Sequence, residues 1–197
     1  MEVDEVVDLG LLVLRLVTGP LLAGHGSQKL FGAFGGHGLE GTAGWLNSMG
    51  LRPSKAWASM AGLSEFAGGV LTALGLFHPL GSIFMMGPMS VAIGRVHWGK
   101  PIWVTEGGAE LPVTNTAVAV GLAVSGPGRY SLDNVFGIRV PFPIVLLTLA
   151  ATVAGIGVGL SDELRTRLAE VPEQVASIAG TAESETPAES GASPSIR

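Results

Sequence analysis

The sequence predicts an all-α fold, a polytopic bundle of helices built for a membrane. Three observations predict it. Of 197 residues, 47% are hydrophobic and only 14% charged, against about 25% charged in an ordinary soluble domain. Mean hydropathy is +0.49. Apolar stretches also recur along the chain, several near the ~17–25 residues that a membrane-crossing helix needs.

Taken in order, the first stretch runs from Val6 to Gly24. The chain opens Met-Glu-Val-Asp-Glu. A cleavable leader opens on positive charge, so this helix is expected to stay in the mature protein. The second stretch, Trp57–Phe77, is long enough to span. The third, Gly81–Val96, spans only if it borrows from its flanks. The fourth, Leu111–Val124, is short and marginal as a span: it could tilt, thin the bilayer locally or lie partly re-entrant. The fifth, Val140–Leu160, is the cleanest. "SDELRTRLAEV" after it reads as a short helix beside the membrane, with Ser161 as N-cap. From about Glu173 the Ala/Ser/Glu/Pro-rich composition reads as disorder. The organisation expected is therefore a four-span membrane domain over 1–135, an additional transmembrane helix over 136–162 and a cytoplasmic tail over 163–197.

Lysine and arginine placement sets the orientation. With five spans, Lys29, Arg52, Lys55, Arg95, Lys100, Arg165 and Arg167 fall on one side, and Arg129 and Arg139 on the other. The N-terminus is expected outside and the C-terminus inside. No cysteine is present, which excludes disulfides, thiol chemistry and cysteine-held iron–sulfur clusters within this chain. No basic cluster suggests nucleic acid.

Ionisable groups inside hydrocarbon are costly and mark partners or wet cavities. Arg15 and Glu65 lie well inside predicted spans. Counted from Gly24 and Trp57 at ~1.5 Å per residue, both reach similar depth on antiparallel helices, so an Arg15–Glu65 pair is expected. Such a pair either neutralises itself and fixes helix register, or leaves Glu65 as a proton-handling carboxylate. His25 and His97 end spans one and three at one mouth, near Lys29, Arg95 and Lys100. His78 lies at the opposite face. Paired histidines suit a haem or metal, but interfacial histidines more often cap helices or meet head groups. Gly69 with Ala73, and Ala151, Gly155 and Gly159, recur at the four-residue spacing that lets membrane helices approach closely. Trp45, Trp57, Trp98 and Trp103 suit an interfacial belt.

"HGSQKLFGAFGGHGLEGTAGW", from His25 to Trp45, is rich in glycine. It lacks the Gly-Lys-Ser/Thr of a phosphate loop, and no strand precedes it as a dinucleotide fingerprint requires. It reads as the cytoplasmic connection between spans one and two, with Phe31, Phe34 and Trp45 as anchors.

"GPLLAGHGSQKLFGAFGGHGLEGTAGWLNSMGLRP", "GLSEFAGGVLTALGLFHPLGS", "MSVAIGRVHWGKPIWVTEGGAE" and "GPGRYSLDN", in that order, resemble the DoxX family of bacterial inner-membrane proteins over about Arg15–Asp133. The resemblance implies a four-helix membrane core, to which this chain adds its fifth span and tail. It also implies association with quinone-linked oxidoreductases and oxidative-stress complexes. The matching motif positions are His25, Gly26, Lys29, Leu30, Phe31, Gly32, Glu65, Gly68, Gly69, His97, Ser131, Leu132 and Asp133.

On these grounds Glu65 and His97 are the candidate catalytic residues. His25, Lys29, Phe31 and Trp98 are the candidate quinone-contacting residues, and no metal site is expected. The expected setting is the bacterial cytoplasmic membrane, with the lipid bilayer, soluble redox enzymes at the cytoplasmic face and a second copy of the chain as possible partners. Nothing in the chain itself carries electrons, so a non-catalytic scaffold and a small-solute or proton pathway stay open beside the redox reading.

Overall fold

A computed structural model describes residues 3–162. Those residues form seven α-helices and two short 3₁₀ turns, with no strand among them. In order they are α1 (Val3–Phe31), α2 (Gly38–Ser48), α3 (Ser54–Leu74), α4 (Leu80–Arg95), α5 (Glu110–Ser125), α6 (Leu132–Phe136) and α7 (Phe142–Leu160). Helices α1 and α7 are long and apolar enough to cross a membrane. Helices α4 and α5 have 16 residues each, about 24 Å at 1.5 Å per residue. The third apolar stretch thus borrows little from its flanks. The helix expected after Ser161 and the tail over 163–197 lie outside the described residues; Ser161 itself caps the C-terminal end of α7.

Two expectations about the first half change. Helix α1 does not stop at Gly24 but runs on to Phe31. The supposed connecting loop is also largely helical, because Gly38–Ser48 forms α2. Its three glycines argue against helix on propensity. Burial of Ala43 and Leu46 against Leu51 and Ala58 outweighs that cost.

Helices α1 and α3 pack along a seam of glycines. A Cβ at Gly19 would sit 2.6 Å from Ala73 N and 2.7 Å from Gly69 O; one at Gly26 would sit 2.7 Å from Gly62 O. The two backbones therefore touch. Between helices in lipid, where exclusion of water gives little drive, such close packing is a main source of attraction. Gly69 takes part, as its spacing suggested. Helix α4 packs on α3, α5 on α4, and Leu22, Met85, Met89 and Ala119 make the central apolar cluster.

Helix α7 lies against α4. Arg95, at the end of α4, closes this contact. Its Nε donates to Gly159 O at 2.9 Å, and one Nη donates to Leu160 O at 3.1 Å and to Asp162 at 2.8 Å. The last carbonyls of a helix have no partner within it, so the guanidinium satisfies α7's C-terminus from a neighbouring helix. Of the small residues in α7, Gly159 packs against Val91 and Trp57, whereas Gly155 has open space around it. The close-packing reading holds for the first and not for the second.

Candidate functional site

Two polar clusters sit at opposite ends of the bundle. At one end Lys29 pairs with Glu65 through Nζ and Oε2. Glu65 is 2% exposed, while about a quarter of the Lys29 side chain, 26%, remains accessible. This corrects the expected Arg15–Glu65 pair. The depth count began at Gly24, but α1 continues to Phe31, and the seam sets Gly26 opposite Gly62 and Phe66. Glu65 therefore lies level with the last turns of α1, where Lys29 reaches it.

Arg15 lies at the other end. One Nη donates to Tyr130 O at 2.7 Å, and its guanidinium lies over Gly75. Gly75 adopts φ +61°, and a Cβ there would run into Arg15 Nη1. Asp133 is buried beside them. Its two oxygens accept from the backbone N–H groups of Phe77 at 2.8 Å and His78 at 2.7 Å. Phe77 has φ +52°, a rare conformation for a side-chain-bearing residue, and the carboxylate holds that turn in place. Ser131 caps α6 by accepting from Asn134 N at 3.1 Å. The void there is about 10 Å³, room for about one water. Burial holds the His78 imidazole below its ordinary pKa, and nearby Asp133 opposes that shift.

The Lys29–Glu65 end opens instead into a cavity of about 560 Å³, within the ~300–1,000 Å³ of small-molecule sites. Helices α1 to α5, α7 and the end of α4 line it. His25, Lys29, Glu65, Arg95 and His97 supply charge and hydrogen bonds; Leu22, Phe84, Met89, Trp57 and Leu147 are among the apolar walls. His97 Nδ1 lies 2.7 Å from Gly107 O. A carbonyl only accepts, so Nδ1 carries the hydrogen and the neutral ring keeps a lone pair at Nε2. His25 Nδ1 lies 3.1 Å from Gln28 Oε1.

Of the six residues singled out in the sequence, four line this cavity: His25, Lys29, Glu65 and His97. Phe31 and Trp98 do not. Phe31 stacks edge-on against Phe66 with ring centroids 5.8 Å apart, and Trp98 is 81% exposed. Sequence reasoning missed the roles of Arg95 and Asp133, whose partners are largely backbone groups and leave no pairing signal in side-chain identity. It also missed that Trp45, Trp57 and one face of α7 are cavity wall. No group of three or more His, Cys, Asp or Glu gathers to hold a metal among the described residues.

Two membrane-length apolar helices, a buried ion pair and a largely apolar cavity are features of a helical membrane protein. Residues 10–98, a little under half of the chain, match the DoxX family. The match includes every cavity residue from Leu22 to His97 and ends before α5 and α7. Neither a curated protein nor a solved structure matches the chain at a significant level.

Proposed function

We propose that this DoxX-like protein is the quinone-binding membrane subunit of a redox complex. The cavity carries the reading: hydrogen-bonding and ionisable groups share its lining with a large set of apolar side chains. A quinone needs both kinds of contact, polar ones for its two ring carbonyls and apolar ones for its chain. The residues present fit it. Lys29 and a ring N–H of His25 offer donors to a ring carbonyl, and the free Nε2 of His97 accepts a proton or a hydrogen bond. Glu65, buried against Lys29, keeps that ammonium in place and is itself a proton carrier. When bound, the quinone supplies two-electron, two-proton chemistry, and the electrons come from a soluble partner enzyme, because this chain has no electron-carrying group of its own.

The Lys/Arg distribution supports the orientation. On this reading the cavity mouth faces the cytoplasmic side of a bacterial inner membrane, open to such a partner, with the N-terminus outside. A continuous proton or solute pathway is less well supported, since the void beside Arg15 and His78 at the opposite end is about 10 Å³.

The test uses full-length protein purified in detergent. Organic extraction followed by mass spectrometry is expected to recover quinone in near-stoichiometric amount. Added short-chain quinone is expected to quench the fluorescence of Trp45 and Trp57, which line the cavity. Lys29→Met and His97→Asn should each weaken that quenching by about tenfold or more, as loss of a charge-assisted or buried hydrogen bond does. A protein that extracts free of quinone and shows no saturable quenching sinks the proposal in favour of the scaffold.

A further inference from the structure

We infer that α7, which lies outside the stretch matching the family, is the wall that seats the ligand's apolar chain and selects ligands that have one. The inference rests on the quinone reading and adds the tail to the head.

Helix α7 gives the cavity one continuous stripe: Leu147, Thr148, Ala151, Thr152, Gly155 and Ile156. These positions recur at i, i+4 and i+8, so they share a single face. The face is unusual in its middle. Ala151 and Gly155 leave a shallow trough, and a Cβ built at Gly155 meets nothing within 4 Å. Elsewhere small residues on this helix are used for contact: Gly159 lies against Val91, and Thr152 reaches Gly87 of α4. Gly157, on the other face, is equally uncrowded but lines no cavity, whereas Gly155 is part of the cavity wall. Thr148 turns its hydroxyl back to Ile144 O at 2.8 Å, which leaves its methyl rather than its oxygen to the slot.

The opposite face carries Leu146, Leu149 and Val153, all exposed, and suits lipid. Leu147, on the cavity face, is also exposed, so the cavity stays open to the surroundings beside α7. Arg95 holds α7 in place through Gly159, Leu160 and Asp162. Arg95 also lines the cavity, so the clasp stands next to the polar head. A ligand with its head at Lys29 and Glu65 has the α7 trough as the lining for its chain. The class selected is a polar ring carrying a single prenyl or alkyl chain, in preference to the bare ring.

The experiment compares a tail-less benzoquinone with its decyl-chain analogue. Quenching of cavity tryptophan is measured on the full chain in nanodiscs of fixed lipid composition, so that partitioning is equal across variants. Gly155→Leu, whose Cβ meets nothing within 4 Å, puts side-chain volume into the trough. It is expected to weaken decyl-quinone binding by about tenfold, the burial of about two methylenes, and to leave the tail-less analogue within twofold. Leu149→Ala, on the lipid face, is the control and should change neither ligand. An unchanged ratio of the two affinities in Gly155→Leu overturns the role of α7 and leaves the head-group reading standing. Failure of both quinones to quench the wild type overturns the head-group reading and this one with it. Equal weakening of both ligands in a variant that still purifies as a monodisperse species shows a general loss of the cavity and also overturns tail selection.

Discussion

The two polar ends of this bundle use similar chemistry for different purposes. Each has a buried carboxylate and a basic side chain, Glu65 with Lys29 and Asp133 near Arg15. At the Asp133 end the carboxylate is consumed by backbone N–H groups of a strained turn, the guanidinium is spread over Gly75, and the space left is about 10 Å³. At the Glu65 end the carboxylate meets one flexible ammonium and faces about 560 Å³. Charge inside a membrane protein is therefore not by itself a functional signal. What distinguishes a site from a brace is whether the polar atoms are used up by the chain and whether room remains beside them.

Substitutions can break this distinction or sharpen it. The largest expected effect on stability is at the closed end. Asp133→Ala leaves two backbone N–H groups without their acceptor and releases the Phe77 turn. It should lower unfolding free energy by about 3 kcal/mol, read by denaturant unfolding in detergent, while quinone quenching by the remaining folded protein stays unchanged. At the open end, Lys29→Met strands a buried carboxylate and should cost about 2–3 kcal/mol. Glu65→Gln strands only a partly exposed ammonium, which rehydrates, so its cost should be about 1 kcal/mol or less. Equal costs for those two would show that unequal burial is not what governs the pair. Arg15→Met should be comparably mild, within about 1 kcal/mol of wild type. Nε and Nη1 of Arg15 already lack hydrogen-bond partners, so the buried cation is poorly compensated in the native state.

The smallest effect concerns pH. His78 has a folded pKa below its ordinary value, so between the two values the unfolded chain binds more protons than the folded one. Its contribution is fully present above about pH 6.5 and is lost as pH falls through the lower, folded value. Melting temperature should therefore drop between pH 7 and 5, and His78→Asn should flatten that drop. A slope that persists undiminished in the variant would assign it to other groups.

Much of the helical layout is legible in the sequence, because long apolar runs bounded by glycine, proline and charge have few other solutions. The ends of helices are less legible. Helix α1 passes through His25, Ser27, Gln28 and Lys29 without stopping, and those polar residues look like a loop to any reading based on hydropathy. Helix α2 is hidden by Gly38, Gly41 and Gly44, and its contacts with Leu51 and Ala58 belong to tertiary structure. Among the site residues, Glu65, Lys29, His25 and His97 stand out as polar groups beside apolar runs. Their pairing does not, since it depends on how α1 slides along α3, and an error of one or two turns in the end of α1 gives Glu65 the wrong partner. Asp133 shows the complementary limit: its motif is visible, but its partners are peptide groups that every residue possesses.

The glycine seam between α1 and α3 has a consequence for how errors spread. Sliding one helix by a single residue moves it about 1.5 Å and turns its side chains by about 100°. That slip would separate Lys29 from Glu65 and pull Arg15 off Gly75 together, although the two sites lie at opposite ends. The seam therefore works like a ruler with both sites marked on it. A bulky residue at Gly19, midway along, would be felt at both marks at once, and a mutation mapped by its distance from either site would be misjudged as harmless.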